Sequence, residues 1–299
     1  MRVTEQAAWR NAAYYVGKSL ERLAQTQVAI SSGKRLQRAS DDPAAARTVI
    51  WTKARIGELE QYKKGISSAE SWMAASDNAL ADAADLLRQA RGLALDGANS
   101  FNSPDDLRAI SIQVEKVIDQ VLSLANTKHM SDTYLFAGQD TLNAPFTPAG
   151  DPITQVDYTA NPGSQNDVYY EVGPGVYQKV NVLGDVAFAG VFGTLIDLRD
   201  NLANGEIEAI STDRITELDA QLIQVSTARA EVGAAMNGLE KLNGQLDTAI
   251  LDLTGVRSDA EDVDLMTAVT ELSLRQNQYQ ASLLASAKIL STSLASILG

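Results

Sequence analysis

From Leu59 onward the apolar residues follow a spacing of three and four without a break. The series runs Leu59, Tyr62, Ile66, Ala69, Met73, Ser76, Leu80, Ala83, Leu87, Ala90, Ala94, and only Ser76 among these eleven is polar. A mean period of 3.5 sustained over so many turns describes a heptad seam, and its length demands a partner helix of similar length. The rule resumes at Leu107, Ile110, Val114, Val117, Val121 and Leu124, after a Ser103-Pro104-Asp105-Asp106 start of capping-box type. It returns at Leu218, Leu222, Val225, Arg229, Val232, Met236, Leu239, Asn243, Leu246, Ile250 and Leu253. Arg229 and Asn243 are polar seam positions, which in coiled coils exchange stability for register; a locally exposed seam is the alternative.

Proline placement agrees. Five of the seven (Pro145, Pro148, Pro152, Pro162, Pro174) fall in one short region. Pro43 and Pro104 each follow an acidic or hydroxyl residue, as at the first position of a helix. Residues 134–192 also hold five of the nine tyrosines and β-rich runs at Ile153–Thr159, Val168–Val172 and Val176–Val182. Pro/Gly/Asn turns separate these runs. The pattern predicts a mainly α protein with a β insert. Long heptad helices from both chain ends form a coiled-coil rod, and the insert is a small outer β-rich domain. The divisions expected are 1–42 (N-terminal helix), 43–133 and 194–260 (the two halves of the rod), 134–193 (β insert) and 261–299 (C-terminal helix).

The heptad rule extends into both ends of the chain. Trp9, Ala13, Val16, Leu20, Leu23, Gln27 and Ile30 lie near the start. Val269, Gln276, Leu283, Leu290 and Ile297, with Leu265, Leu272 and Tyr279, lie near the end. A narrow apolar stripe on a lone helix is unstable in water, so another surface must cover it. That makes Val16, Leu20, Leu23, Ile30, Leu272, Tyr279, Leu283, Leu290 and Ile297 the candidate assembly interface. Charge suits a pairing of the two ends, although solvated faces alone could produce the same asymmetry. Residues 1–50 carry eight basic and four acidic side chains, and residues 200–299 carry six and fifteen.

The stretch Ser31-Ser32-Gly33-Lys34-Arg35-Leu36-Gln37-Arg38-Ala39-Ser40-Asp41-Asp42-Pro43 invites a chemical reading and fails it. A phosphate loop needs glycine at position 28 and a hydroxyl after the lysine, where this chain has Val28 and Arg35. Asp41 and Asp42 lack further ligands for a metal. They make better sense as a helix start, with a carboxylate accepting from free N–H groups and Pro43 at the first helical position. Gly33, Asp41, Asp42 and Pro43 are therefore read as a hinge between helices. The acidic run Asp259, Glu261, Asp262, Asp264 lacks the glycine and final glutamate of a calcium loop, and reads as the opening of the C-terminal helix. His129, near a helix end, reads as solvent-facing or capping.

No cysteine is present, which excludes disulfides, thiolate metal sites and a cysteine nucleophile. A single histidine excludes a multi-histidine metal site. No nucleophile, base and orienting group come together in the sequence, so the reading is a structural protein without cofactor or metal, not an enzyme. A net charge of −13 argues against nucleic acid. Charges interrupt any signal-peptide core near the start, and no apolar run reaches the length of a membrane span.

Both ends resemble the flagellin family. Ile30-Ser31-Ser32-Gly33-Lys34-Arg35-Leu36 and Ala39-Ser40-Asp41-Asp42-Pro43-Ala44 are similar to that family's N-terminal signature. Glu261-Asp262-Val263-Asp264, Thr270-Glu271-Leu272, Gln276, Gln280 and a helix rich in small residues are similar to its C-terminal one. Three features resemble the branch that joins hook to filament: Met1-Arg2-Val3-Thr4, Pro43-Ala44-Ala45 after the acids, and Asp132-Thr133-Tyr134-Leu135-Phe136-Ala137-Gly138 followed by Ala144-Pro145-Phe146. Ala137 departs from the usual glycine. The resemblance implies export unfolded through the flagellar type III apparatus and a secreted, extracellular place at the hook–filament junction. It also implies four partners: neighbouring copies of the chain, hook-associated protein 1, flagellin, and an export chaperone at the C-terminal helix. Nucleic acid and membrane are not among them. A filament flagellin and, more distantly, a coiled-coil binding or signalling module with a β sensor insert remain the alternatives.

Overall fold

The structure, a computed structural model, describes residues 2–130, 132–158 and 163–298, with side chains described for residue 7 and from 9 to 288 within those ranges. Helices α1 (Arg2–Ser32), α2 (Pro43–Gly97) and α3 (Pro104–Ala125) come first. Strands β1 (Phe146–Ala149), β2 (Gln155–Tyr158), β3 (Tyr169–Gly173) and β4 (Val176–Lys179) follow. Then come α4 (Gly184–Ala187), α5 (Val191–Asn204), α6 (Ile207–Ala209), a π-helical turn (Ile210–Arg214), α7 (Ile215–Glu261) and α8 (Leu265–Leu298). Two compact units emerge: residues 1–58 with 248–299, and residues 59–247.

The larger unit is built on the heptad seams. Of the eleven α2 positions named above only Tyr62 is not fully enclosed, and Ile66, Leu80 and Leu87 expose nothing. Burying a side chain of this size contributes about 1.5–3 kcal/mol each, so this single stripe is a main source of the unit's stability. Ser76 is tolerated there because its hydroxyl donates to the Trp72 carbonyl one turn back, at 3.1 Å. On α7, Leu218, Val225, Val232, Leu239 and Leu246 are buried.

Three ion pairs join α2 to α7 inside this unit: Lys63 with Asp247, Asp77 with Arg229, and Arg91 with Asp219. The α2 partners stand two heptads apart and alternate in sign, and their α7 partners run in the opposite chain direction. The helices are therefore antiparallel, with a polar register written along the seam. Arg229 donates to both Asp77 carboxylate oxygens at 3.0 and 3.3 Å, which gives this seam position a partner on α2.

α3 starts as its sequence requires. The Ser103 hydroxyl accepts from the Asp106 N–H, and the Asp106 carboxylate accepts from the Ser103 N–H, with Pro104 in the first turn. α2 stops at Gly97, where a Cβ would lie 2.4 Å from Leu202 Cδ2 of α5. A larger residue there would push the Leu202 side chain aside.

The insert contains two separate antiparallel hairpins, β1–β2 and β3–β4, in place of one sheet. Strands of four or five residues are too short to enclose a core of their own. The insert borrows one: Phe136, Phe146, Phe188 and Phe192 interlock at centroid distances of 5.2–6.3 Å, and Tyr158 closes the cluster. The Tyr158 hydroxyl donates to the Ser164 carbonyl at 2.7 Å. Burial and the nearby Asp185 carboxylate push its pKa up to about 12. His129 differs from its reading as a solvent-facing or capping residue: it packs against the Trp72 ring at 5.4 Å.

Candidate functional site

The smaller unit brings the two ends of the chain together. α1 packs along α8, and the segments bordering them cross in a short antiparallel bridge between Lys34 and Asp262. α1 terminates because Gly33 adopts φ +70°, a conformation that costs other residues dearly. The chain then runs past the end of α7. There Arg35 N–H (2.8 Å) and Leu36 N–H (3.3 Å) donate to the Glu261 carbonyl, and the Val263 N–H donates to the Gly33 carbonyl at 3.0 Å. The Arg35 guanidinium donates to the Ala260 carbonyl at 2.8 Å. The last carbonyls of α7, which lack partners within their own helix, are thus satisfied by a segment more than two hundred residues earlier.

Glu261 sits at the centre of this crossing. It is buried, 7 % exposed, and its Oε1 accepts from Lys34 Nζ at 2.6 Å and Lys53 Nζ at 3.3 Å. The Lys34 ammonium first, and Lys53 with it, hold its carboxyl below the usual glutamate value. A carboxylate at a helix C-terminus opposes the helix dipole, so its burial requires these two cations. This corrects the reading of the acidic run. Glu261 closes α7, and only Asp264 opens α8, accepting from the Met266 N–H at 3.0 Å and from the Thr267 hydroxyl at 2.8 Å. The Thr267 hydroxyl, then the Met266 amide, draw the Asp264 pKa down.

The hinge residues divide their work. Asp42 caps α2, accepting from the N–H groups of Ala44 and Ala45 at 3.1 and 3.0 Å, with Pro43 at the first helical position. The Ala45 amide leads in lowering the Asp42 pKa, and Arg35, 3.5 Å away, adds to it. Asp41 instead accepts from the Arg38 N–H at 2.8 Å, closing the turn before the cap. Lys34 is turned to Glu261, and among the described residues no group of three or more His, Cys, Asp or Glu is placed to hold a metal.

Each terminal helix carries two adjacent apolar stripes with different fates. On α1 the inward line is Ala12, Val16, Ser19, Leu23, Thr26 and Ile30, all buried or half-buried. On α8 it is Ala268, Leu272, Arg275, Tyr279, Ser282 and Ser286. One heptad set from the sequence therefore faces inward: Val16, Leu23, Ile30, Leu272 and Tyr279. The other is turned out beside it: Ala13, Leu20 and Gln27 on α1, Val269, Gln276 and Leu283 on α8. Leu20 remains 49 %, Val269 51 % and Leu283 42 % exposed. The packing selects small and polar neighbours of the large residues as the second half of the inner seam. Leu290 and Ile297 lie outside the residues whose side chains are described.

Sequence reasoning missed Lys34, Lys53 and Glu261. The only trace was the opposed charge of the two ends, which names no pair. No helix among the described residues is long and apolar enough to cross a membrane.

A chain that closes its two ends into one helical pair, keeps an apolar stripe on the outside of that pair, and spends its polar groups on caps and register is a structural subunit. Comparison with known proteins makes that class specific. The bacterial flagellin N-terminal helical region matches residues 3–141, and the bacterial flagellin C-terminal helical region matches residues 215–298. The chain belongs to the flagellin family. It is 26% identical over 276 residues to flagellar hook-associated protein 3 of Escherichia coli (strain K12), covering 85% of this chain and 86% of that protein. It is also 26% identical over 256 residues to the flagellar filament 30.7 kDa core protein of Treponema maltophilum, covering 85% and 83%. The fold matches a putative flagellar hook-associated protein from Vibrio parahaemolyticus with a TM-score of 0.68 at 19% identity, over 74% of this chain and all of that one.

Proposed function

We propose that the protein is an adaptor subunit of the bacterial flagellum, seated at the hook–filament junction and bonded there through its terminal helices. The observation that carries the reading is the outer stripe of α1 and α8. Leu20, Val269 and Leu283 hold apolar surface toward solvent on a helical pair whose inner seam is already filled. A monomer gains nothing from that surface, and a neighbouring helix gains about 25 cal/mol for each Å² it covers. The Escherichia coli relative bears the hook-associated name. In favour of the junction over the filament we take Pro43-Ala44-Ala45 and the Asp132–Gly138 segment, both of which resemble the junction branch of the family.

In this reading the partners are further copies of the chain, hook-associated protein 1 on the hook side and flagellin on the filament side. An export chaperone holds the C-terminal helix before assembly. The protein acts outside the cell, by packing and not by chemistry. Deleting the gene and viewing the cells by electron microscopy tests it: bare hooks with flagellin shed into the medium are expected. Full-length filaments on the deletion strain would refute the junction role. Purified protein that grows long filaments by itself would support the filament alternative.

A further inference from the structure

The two antiparallel helix pairs of this chain hold their register by different means. Along α2 and α7, Lys63–Asp247, Asp77–Arg229 and Arg91–Asp219, whose α2 members stand two heptads apart, write the alignment into the seam. A slip by one heptad would break all three. The middle stretch of α1 and α8 is held differently. Between Val16–Ile30 and Leu272–Ser282, no ion pair or side-chain hydrogen bond joins the two helices among the described residues. Arg275, which faces the seam, pairs with Glu271 of its own helix at 2.7 Å. The seam itself repeats every seven residues, so sliding one helix by a heptad again sets apolar against apolar.

What distinguishes the observed alignment is the crossing at its end. Leu23 stands eleven residues before Lys34 and Leu272 ten after Asp262; Val16 stands eighteen before and Tyr279 seventeen after. Counted from the bridge, the inward residues of the two helices come level to within one residue. We infer that the Gly33–Leu36 and Glu261–Val263 crossing is a register latch for α1 and α8, with Glu261 as its positioning residue. Its backbone half is the set of hydrogen bonds from Arg35, Leu36 and Val263, which fixes the axial start of both helices. Its side-chain half is the Glu261 carboxylate held by Lys34 and Lys53, which ties that start to α2. The consequence lies on the outer face: in the latched register Leu20 of α1 stands level with Gln276 of α8, and Ala13 with Leu283, pairings that a one-heptad slip would change. This rests on the proposed assembly role only for its meaning; the alignment can be measured on the free subunit.

The chain has no cysteine, so Ala24→Cys with Gln280→Cys, both at exposed positions, gives a unique pair of spin labels on the full-length protein. A heptad slip moves their axial offset by about 10 Å at ~1.5 Å per residue. The unaltered latch is expected to give one narrow distance. Glu261→Gln, which removes the charge, and Gly33→Ala, which strains the backbone where no neighbour would clash with the new Cβ, should each shift or split it, by somewhat less than the ~10 Å axial slip because part of the separation is lateral, with helix content by circular dichroism unchanged. A single unshifted distance in both variants overturns the inference, as does a broad distribution without either change. Loss of helix content along with the distance also overturns it, since the crossing would then only stabilise. Incorporation onto hooks separates the two readings. Shifted register with normal incorporation keeps the latch and sinks the outer-stripe interface. Native register with lost incorporation does the reverse.

Discussion

Leu20 and Leu23 are three residues apart on one helix, and the structure gives them opposite work. Leu23 is 9% exposed in the inner seam, and Leu20 is 49% exposed on the outer stripe. Leu23→Ala removes three carbons from a two-helix seam that can partly collapse, so the cost is at the lower end of core truncations, about 2–3 kcal/mol. Leu20→Ala removes atoms already half in water, so the free subunit should change by less than ~0.5 kcal/mol. Covering the exposed half of a leucine contributes about 1 kcal/mol, so the same substitution should weaken each assembly contact by roughly fivefold. Two measurements read this out. Denaturant unfolding, followed by hydrogen exchange of α1 and α8 amides, gives the stability of the smaller unit. Competition between tagged variant and unaltered protein for incorporation onto hooks gives the assembly term. Leu23→Ala should fail the first test, and Leu20→Ala should pass the first and fail the second. If Leu20→Ala destabilises the free subunit as much as Leu23→Ala, the outer stripe faces inward and the two-stripe argument falls. If it leaves incorporation untouched, the stripe is not an interface.

Other outcomes follow from the same geometry. Asp42, Asp264 and Glu261 all have folded pKa values below their ordinary 3.8, 3.8 and 4.5. Depressed carboxyl values add stability that is complete above the unfolded pKa and disappears as pH falls through the folded one. Amide exchange at Ala45, Met266 and Arg35 should therefore be flat from pH 7 to about 4.5, after correction for intrinsic rates, and lose protection only below it. Loss beginning near pH 6 would implicate a different group. In the larger unit, Asp77→Ala and Arg229→Ala should couple by about 0.5–1 kcal/mol in a double-mutant cycle, as a two-point pair about one-third exposed allows. Additive effects would mean that the pair contributes no register energy.

Much of the larger unit was legible in the sequence because its seams repeat one rule. Residues such as Leu80 and Leu87 must be buried somewhere, and a 3.5-residue period leaves one way to do it. Ser103, Pro104 and Asp106 likewise announce the start of α3, since capping is local chemistry among neighbours. The hairpins were harder. β2, β3 and β4 fall within or across the β-rich runs, but the packing of β1–β2 depends on a cluster in which Phe146 and Tyr158 meet Phe136, Phe188 and Phe192 from outside the strands.

The sequence alone also determined that each chain end carries apolar stripes, that Gly33 can end one helix, and that Asp42 and Pro43 can begin the next. All of these are properties of residues within a turn or two of one another. Only the tertiary structure decided which stripe turns inward. Both stripes repeat every seven residues and both are apolar, so period alone does not separate Val16, Leu23 and Ile30, which are covered, from Leu20, which stays 49% exposed. Only the tertiary structure, too, gave Glu261 its role. A carboxylate at the wrong end of a helix is unfavourable until Lys34 and Lys53 arrive beside it, and no local pattern records ion pairs between residues more than two hundred positions apart.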